Sequence, residues 1–322
     1  WIQSKYDLSY TFYIFCGSGN NGGDGLAIAR MLYLSKYKVY CYQTKLGKNF
    51  SNDFLENKKR LETEVNSISQ IEHFPIIKNK SKGIIIDSIL GSGLNRNISG
   101  LLKEIICKIN QTEVEVVSID IPSGLFSEDN SLNKIEGIIN AKYTLCFNAP
   151  KLSFVLPENY QFVGEFHVLD IGLDRDFISS LNSKYYYLTK DFFSNRVKFR
   201  NKFDHKGSFG HLLIVSGSKG MMGSTVLTSR AALSSGVGKL SILSPKCGEH
   251  ILQTTVIEGI LEQNNGRNYL IDSYNLKYDW IVIGPGIGTN SETKSFLISL
   301  LKKVKTPIVL DADAINIISN EN

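Results

Sequence analysis

The sequence predicts an α/β protein built on largely parallel sheets, and three observations support this fold class. Apolar runs of strand length alternate with amphipathic stretches of helix length from the first residues onward. Glycine-rich and polar segments follow several of the predicted strands, which is where a parallel sheet turns into its next helix. The chain has 322 residues, and at about 150 residues per domain this length predicts two domains, each with its own core.

The elements follow in order from the apolar pattern. In the first half, strands are predicted near residues 11–15, 39–42, 84–86, 114–119, 143–147 and 165–169, with helices near 25–34, 52–64 and 101–109. In the second half, strands are predicted near 211–215, 239–243, 280–283 and 308–310, with helices near 225–235 and 292–302. We place one domain at residues 1–177 and another at 188–322, because the stretch between them is polar.

Composition and charge narrow the class of protein. Hydrophobic residues make up 42% and charged residues 21%, which excludes a disordered or collagen-like chain. No apolar run approaches a membrane helix and no signal peptide is visible, so we expect no membrane partner, while the odd number and wide spacing of the cysteines favour a reducing cytoplasm. Residues 181–322 carry a net charge of +6, which suits a small phosphate ligand better than a nucleic acid, although a solvated basic surface explains it equally well. Five scattered cysteines indicate neither a disulfide framework nor a zinc site.

Three polar, glycine-bearing segments follow strands of the first predicted sheet. They are residues 17–25, 87–94 and 120–124. Because ligands of open α/β sheets bind outside the carboxyl ends of the strands, we expect these segments to meet in one crevice. A plainer interpretation is that the glycines serve tight turns, that Asp24 caps a helix and that Asp120 is tied to a backbone turn.

A nicotinamide-dependent oxidoreductase is the first alternative function. Gly17, Gly19 and Gly22 satisfy the spacing G-x-G-x-x-G of a dinucleotide-binding turn. The second predicted strand, however, ends in residues 42–45 without the acidic residue that would bind ribose hydroxyls. Asp24 would also repel a pyrophosphate at the start of the helix. A second alternative, a non-catalytic nucleotide-binding scaffold, stays open.

The same segments carry a more specific resemblance. Residues 19–25, 91–94, 120–124 and 164–172, together with Asp87, resemble the epimerase domain of the bifunctional NAD(P)H-hydrate repair enzymes. Residues 205–210, 215–224, 284–288 and 310–314 resemble the second domain of that family, an ADP-dependent NAD(P)H-hydrate dehydratase. The resemblance implies a Rossmann-like three-layer epimerase domain followed by a ribokinase-like α/β domain.

The family repairs NADH and NADPH whose dihydronicotinamide ring has added water. The resemblance implies that the first domain interconverts the R and S epimers, and that the second removes water from the S form. Asp120 would be catalytic, since a carboxylate beside the reacting ring can act as acid or base. The hydrated cofactor would contact Asn20, Asn21, Gly22, Gly23, Asp24, Gly91, Ser92, Gly93, Leu94, Asn95, Arg96, Asn97 and Asp120.

The resemblance also implies cofactors and a second substrate site. Asn21, Asp87 and Ser123 would bind a potassium ion, for which three oxygen-bearing side chains are suitable ligands. Ser224, Gly286 and Gly288 would line the dehydratase site, with ADP and magnesium as its cofactors once that domain is complete. Two departures from the family pattern are Ser92, where threonine is usual, and Phe126, where aspartate is common. A homo-oligomer is expected.

The two ends of the chain lead to a further expectation. The sequence begins at Trp1 without an initiator methionine, and it stops shortly after Asp313 in an apolar segment. We therefore interpret it as an excerpt of a longer protein, with a truncated dehydratase domain in which dehydration is not expected. The segment around Lys219 is no Walker loop, and Ser123 lies in no nucleophile elbow, so a hydrolase is not indicated.

Overall fold

The computed structural model describes residues 1–44, 49–61, 65–77, 81–194, 196–197, 199–262, 264–271 and 277–320. They form two compact units, Trp1–Phe193 and Ser194–Asn322, each built on one parallel β-sheet with helices. The predicted α/β class with parallel sheets is therefore confirmed. The predicted domain limits, residues 177 and 188, both fall in the first unit and stay a prediction.

The first unit contains a sheet of seven strands in the order β3-β2-β1-β4-β5-β6-β7. Its strands are β1 (Thr11–Cys16), β2 (Lys38–Thr44), β3 (Val65–Ile68), β4 (Gly83–Ser88), β5 (Glu115–Ile119), β6 (Tyr143–Phe147) and β7 (Glu165–Leu169). Its helices are α1 (Ile2–Lys5), α2 (Asn20–Leu34), α3 (Asn52–Arg60), α4 (Gly100–Gln111), α5 (Tyr160–Val163) and α6 (Arg175–Ser180), and α7 (Lys190–Ser194) extends one residue past the unit's limit. The order reverses between β1 and β4, which is where such sheets bind ligands.

Both faces of this sheet are buried, because successive side chains of a strand point to opposite faces. On β1, Phe12 and Ile14 belong to one core cluster, to which α2 contributes Leu26. Phe15 belongs to the cluster on the other face, to which α4 contributes Ile105. Helices thus cover both faces, as a parallel sheet requires, and the loops at the strand ends are where a site is expected.

The second unit contains a parallel sheet of five strands in the order β10-β9-β8-β11-β12. Its strands are β8 (His211–Val215), β9 (Lys239–Leu243), β10 (Ile260–Glu262), β11 (Trp280–Ile283) and β12 (Ile308–Leu310). Its helices are α8 (Met222–Ser234), α9 (Glu249–Thr255), α10 (Ser291–Lys303) and α11 (Asp313–Ser319). In the described part of the chain, no helix has both the length and the apolar character that crossing a bilayer would need.

The predicted elements differ from the structure mainly at short or glycine-rich segments. Helix α2 begins at Asn20 and not near residue 25, since packing against the sheet overrides the low helix propensity of its glycines. Helix α3 ends at Arg60, and residues 62–64 of the predicted helix lie outside the described residues. The sequence analysis missed the strands β3 and β10 and the helices α1, α5, α6, α7, α9 and α11. The two strands have four and three residues, and the helices have at most seven, too short for a clear apolar pattern.

Candidate active site

A cleft of about 720 Å³ opens at the carboxyl ends of β1, β4 and β5. The loops that follow these strands line most of it, as the sequence analysis predicted. The cleft is lined by Gly19, Asn20, Asn21, Asp24, Ile89, Leu90, Gly91, Ser92, Gly93, Leu94, Asn95, Arg96, Asp120 and Phe147. Phe147, the last residue of β6, was not predicted to belong to the site.

Hydrogen bonds tie the start of α2 to the two strands beside it. Asn21 donates from Nδ2 to the carbonyl oxygen of Ile119, 2.8 Å away at the end of β5. The hydroxyl of Ser88, at the end of β4, donates to the carbonyl oxygen of Asn21. The first turn of α2 is therefore held over the sheet edge, with Asn20 and Asp24 on the cleft.

Asp120 occupies a strained position immediately after β5. Its φ of 69° lies in the left-handed region, which few residues other than glycine adopt. Its Oδ2 accepts a hydrogen bond from the backbone N–H of Ser92 at 3.0 Å, and its Oδ1 lies 2.7 Å from Nζ of Lys151. The backbone strain and these two partners aim the carboxylate at the cleft, which is a feature of many functional sites.

The sequence analysis missed Lys151. A signal was available, because β6 was predicted and its carboxyl end lies at the same edge of the sheet as those of β4 and β5. The predicted site did not include the loop after β6, although Lys151 lies only four residues beyond Phe147.

Asp24 is the second carboxyl group of the cleft. Desolvation, and then the negative charges of Asp120 and Asp53, raise the pKa of Asp24 to about 6. The alternative that Asp24 caps the helix is wrong, because the N-cap residue of α2 is Gly19 and Asp24 lies inside the helix. Asp24 is thus a cleft carboxyl group that holds its proton to a higher pH than an ordinary aspartate.

Asp87 and Ser123 are in direct contact beneath the cleft. The Oδ1 of the fully buried Asp87 accepts from the Ser123 hydroxyl at 2.6 Å and from the N–H of Ile89 at 3.3 Å. Its Oδ2 accepts from the Ser118 hydroxyl at 2.7 Å and from the N–H of Ser123 at 2.8 Å. Burial raises the pKa of Asp87 above its ordinary value, against the lowering effect of these hydrogen bonds.

Asn21, the third predicted cation ligand, has a buried side-chain oxygen that accepts no hydrogen bond. Its Oδ1 has no hydrogen-bond partner, although a buried amide oxygen in a protein almost always has one. An unpartnered amide oxygen, a buried carboxylate and a hydroxyl form an all-oxygen donor set, which fits a monovalent cation better than zinc. Among the described residues, no three His, Cys, Asp or Glu side chains form a metal-binding group.

Three predicted contact residues do not line the cleft. Gly22 and Gly23 are buried in the first turns of α2, against the backbone of Gly17 and of Asp53, respectively. Asn97 is exposed and binds the chain around residue 134, with its Oδ1 accepting from the N–H of Lys134 at 2.9 Å. Their contact with a ligand stays a prediction.

In the second unit, the loops after β8 and β11 come together. A Cβ built on Gly286 would lie 2.9 Å from the Ser224 hydroxyl oxygen, and the Ser218 hydroxyl donates to the Gly286 carbonyl oxygen at 2.8 Å. The N–H of Gly288 donates to Oδ2 of Asp313, at the start of α11, over 2.9 Å. The structure thus brings the predicted residues Ser224, Gly286 and Gly288 to one edge of the sheet.

The part of β2 that the structure describes does not support the alternative function of a nicotinamide-dependent oxidoreductase. The Oε1 of Gln43 accepts a hydrogen bond from Nζ of Lys58 at 2.9 Å, and the strand ends at Thr44. Residue 45 lies outside the described residues. No carboxylate therefore stands at the described end of β2 to bind ribose hydroxyls, as a dinucleotide-binding fold requires.

The fold and the cleft define the class of protein. The chain contains two α/β units with parallel sheets, and the first unit has a polar cleft where the strand order of its sheet reverses. Residues 1–153 match the family model described as YjeF-related protein N-terminus, and residues 212–322 match that of NAD(P)H-hydrate dehydratase. The two regions that resemble the bifunctional NAD(P)H-hydrate repair enzymes thus each match a family model, in the order that the sequence analysis predicted. The resemblance predicted from the sequence is thereby confirmed.

Curated relatives named bifunctional NAD(P)H-hydrate repair enzyme align along nearly the whole chain. The one from Dictyoglomus turgidum is 30% identical over 95% of this chain and 61% of its own length. That from Methanocaldococcus jannaschii is 32% identical over 97% of this chain and 60% of its own length. This chain thus spans about three fifths of the length of these relatives.

Among solved structures, the yeast protein ynu0 aligns with 58% of this chain and 77% of its own length, at 23% identity and a TM-score of 0.43. The fold assignment rests on the two sheet orders and not on this likeness. The match of residues 212–322 to the dehydratase family gives no support to the expectation that dehydration is absent from this chain.

Proposed function

We propose that the first unit epimerises hydrated NADH and NADPH in the cleft. The observation that carries this proposal is the Asp120 carboxylate, held by Ser92 and Lys151 at the cleft that Asp24 also lines. Inversion at the hydrated carbon requires a proton to be given to one oxygen and taken from another, which two carboxyl groups can do. Asn20, Asn21, Asp24, Asp120 and the loop 91–97 then hold the substrate.

A potassium ion belongs to the same proposal. Asn21, Asp87 and Ser123 would hold it through the unpartnered amide oxygen, the buried carboxylate and the hydroxyl. When bound, the ion supplies a positive charge that offsets the burial of Asp87. These three residues connect the segments that follow β1, β4 and β5, so their own role is to stabilise the shape of the cleft.

The second unit is proposed to act on the S epimer. Ser224, Gly286 and Gly288 lie at one sheet edge and would contact the hydrated ring, with ADP and magnesium as the proposed cofactors. The match to the dehydratase family and the names of the curated relatives support this assignment. A homo-oligomer and a cytoplasmic location are proposed on the family resemblance.

The test of epimerisation uses each separated epimer of hydrated NADH. We expect the purified chain to equilibrate the R and S forms faster than they equilibrate in buffer, as measured by chromatography. A parallel reaction with ADP and magnesium, followed by NADH absorbance, tests the second unit. Equal rates with and without the protein would contradict the epimerase proposal, and would leave a binding scaffold as the better account.

The cation proposal predicts that potassium stabilises the first unit. An ion that binds only the folded state at ten times its Kd adds about 1.4 kcal/mol to the free energy of unfolding. We therefore expect a higher Tm in potassium chloride than in choline chloride at equal ionic strength. Asp87→Asn should lose this difference, whereas Asp7→Asn, which changes an exposed carboxylate of the same unit, should keep it. Equal Tm values of the parent chain in the two salts would overturn the cation site.

A further inference from the structure

A lysine from outside the predicted motifs forms a largely buried ion pair with Asp120. The Nζ of Lys151 lies 2.7 Å from Oδ1 of Asp120, and the two side chains are only 17% and 13% exposed. The other oxygen of Asp120 accepts the N–H of Ser92. A charge-assisted bond of this length, with a second bond on the remaining oxygen, fixes the direction in which a carboxylate points.

Lys151 binds Asp120 but is not among the residues that line the cleft. It lines an adjoining cavity of about 550 Å³, together with Ser127 and Tyr185, and not the cleft itself. The hydroxyl of Ser127, which lines this second cavity, donates to the carbonyl oxygen of Ser92, which lines the cleft, at 2.9 Å. Lys151 can therefore bind Asp120 without taking the place of a substrate.

The two carboxyl groups of the cleft have opposite surroundings. Asp120 has a cation beside it, whereas the described residues place no basic side chain in an ion pair with Asp24. Desolvation, and then the neighbouring carboxyl groups of Asp120 and Asp53, raise the pKa of Asp24 to about 6. Two carboxyl groups that differ in this way are suited to opposite proton-transfer roles.

We propose that Lys151 divides proton transfer between these groups: its ammonium group holds Asp120 as the proton acceptor and leaves Asp24 as the proton donor. This inference rests on the epimerase function proposed above and adds a positioning residue and two assigned roles to it. Lys151 acts through Asp120 and does not touch the ring.

The assigned roles give a balanced reaction at the hydrated carbon, which bears the hydroxyl and is bonded to the ring nitrogen. Asp24 gives its proton to the hydroxyl, and the C–O bond breaks with its electron pair on the departing water. The nitrogen lone pair then forms a C=N bond. Water adds to the opposite face, the C=N electrons return to nitrogen, and Asp120 takes the released proton. The proton returns to Asp24 through solvent, so nothing is oxidised or reduced.

Several other charged or titratable groups lie near this pair and define the pH experiment. Asp53 on α3 faces Asp24, Cys146 on β6 lies near both Lys151 and Asp120, Arg96 lines the cleft, and Glu128 lines the adjoining cavity. A donor with a pKa of about 6 is protonated below that pH, so we expect kcat to fall as the pH rises beyond it. Removing the charge of Lys151 should shift the dependence of kcat on pH to higher pH, because carboxyl groups release their protons less readily when a nearby cation is removed.

The test compares Lys151→Met and Lys151→Arg with Lys103→Met. Lys103 makes an exposed ion pair with Glu136, so its change controls for the loss of one lysine from the same unit. We expect Lys151→Met to lower kcat by roughly 30- to 100-fold with less than about a threefold change in KM, and Lys151→Arg to recover most of the rate. Lys103→Met should match the parent chain. Tm values and pH profiles are measured for all variants.

The outcomes separate this inference from the function on which it rests. No epimerisation by the parent chain overturns both. An active parent with a Lys151→Met variant of equal kcat and unchanged pH profile overturns only the role of Lys151. A slower Lys151→Met variant with a lower Tm, an unchanged pH profile and no recovery by arginine identifies a structural role, and also overturns the proposal.

Discussion

Replacing Asp120 by alanine is expected to slow epimerisation of hydrated NADH by roughly 10² to 10⁴-fold, the usual contribution of a positioned acid or base. The change removes the carboxylate that Ser92 and Lys151 hold at the cleft, and it leaves the ammonium group of Lys151 without its partner. The measurement is the rate at which separated epimers equilibrate, at fixed potassium concentration and pH.

Backbone strain could also reduce the rate of this variant, and two further variants separate the causes. Asparagine tolerates the left-handed region, so Asp120→Asn keeps the backbone and removes only the charge. Lys36 has a φ of 70° on the connection between α2 and β2, so Lys36→Ala is a control with an alanine in the left-handed region away from the strand ends that form the cleft. We expect Asp120→Asn to be slow and Lys36→Ala to be as fast as the parent. A fast Asp120→Asn variant would remove Asp120 from the reaction.

Replacing Gly22 by alanine is expected to destabilise the first unit by about 3 kcal/mol or more. A Cβ at this position would lie 1.9 Å from the carbonyl oxygen of Gly17, a backbone atom that cannot move aside cheaply. Urea unfolding measures the change: the midpoint should fall while the m-value stays the same.

Gly19 supplies the matched control for this stability prediction. It precedes the same helix as its N-cap, and a Cβ there would meet no atom within 4 Å. Gly19→Ala should therefore cost less than about 1 kcal/mol, the usual loss on placing alanine at an N-cap. Similar losses in the two variants would show that Gly22 is required for chain flexibility and not for close packing.

These glycines illustrate how far the residue pattern alone could be interpreted. The pattern suited either a dinucleotide turn or a tight strand-to-helix connection. In the structure, Gly22 allows the start of α2 to lie against the backbone of Gly17, Gly17 in turn lies against the backbone of Ile89 after β4, and neither glycine lines the cleft. Spacing in sequence identifies where backbone must come close, but not whether the neighbour is a ligand or another part of the chain.

The strands that build the site could be predicted because their signal is local. β1, β4 and β5 are buried runs whose apolar residues are contiguous in sequence, and the polar segments after them were placed correctly at one edge. The start of α2 could not be predicted in this way, because the asparagines and glycines of its first turn have low helix propensity. Their helical conformation depends on bonds such as that from Asn21 to Ile119, which joins residues far apart in the chain.

The sequence by itself determined the α/β class, the order of the two units and the three loops that meet at the cleft, since apolar periodicity and strand-end polarity are properties of neighbouring residues. Only the tertiary structure decided how charge is arranged there. Lys151 lies 31 residues from Asp120 and reaches it because β6 pairs with β5, while Asp24 is left among carboxyl groups. Ion pairs and pKa shifts depend on distances through space and on burial, and these are set when the strands take their places in the sheet.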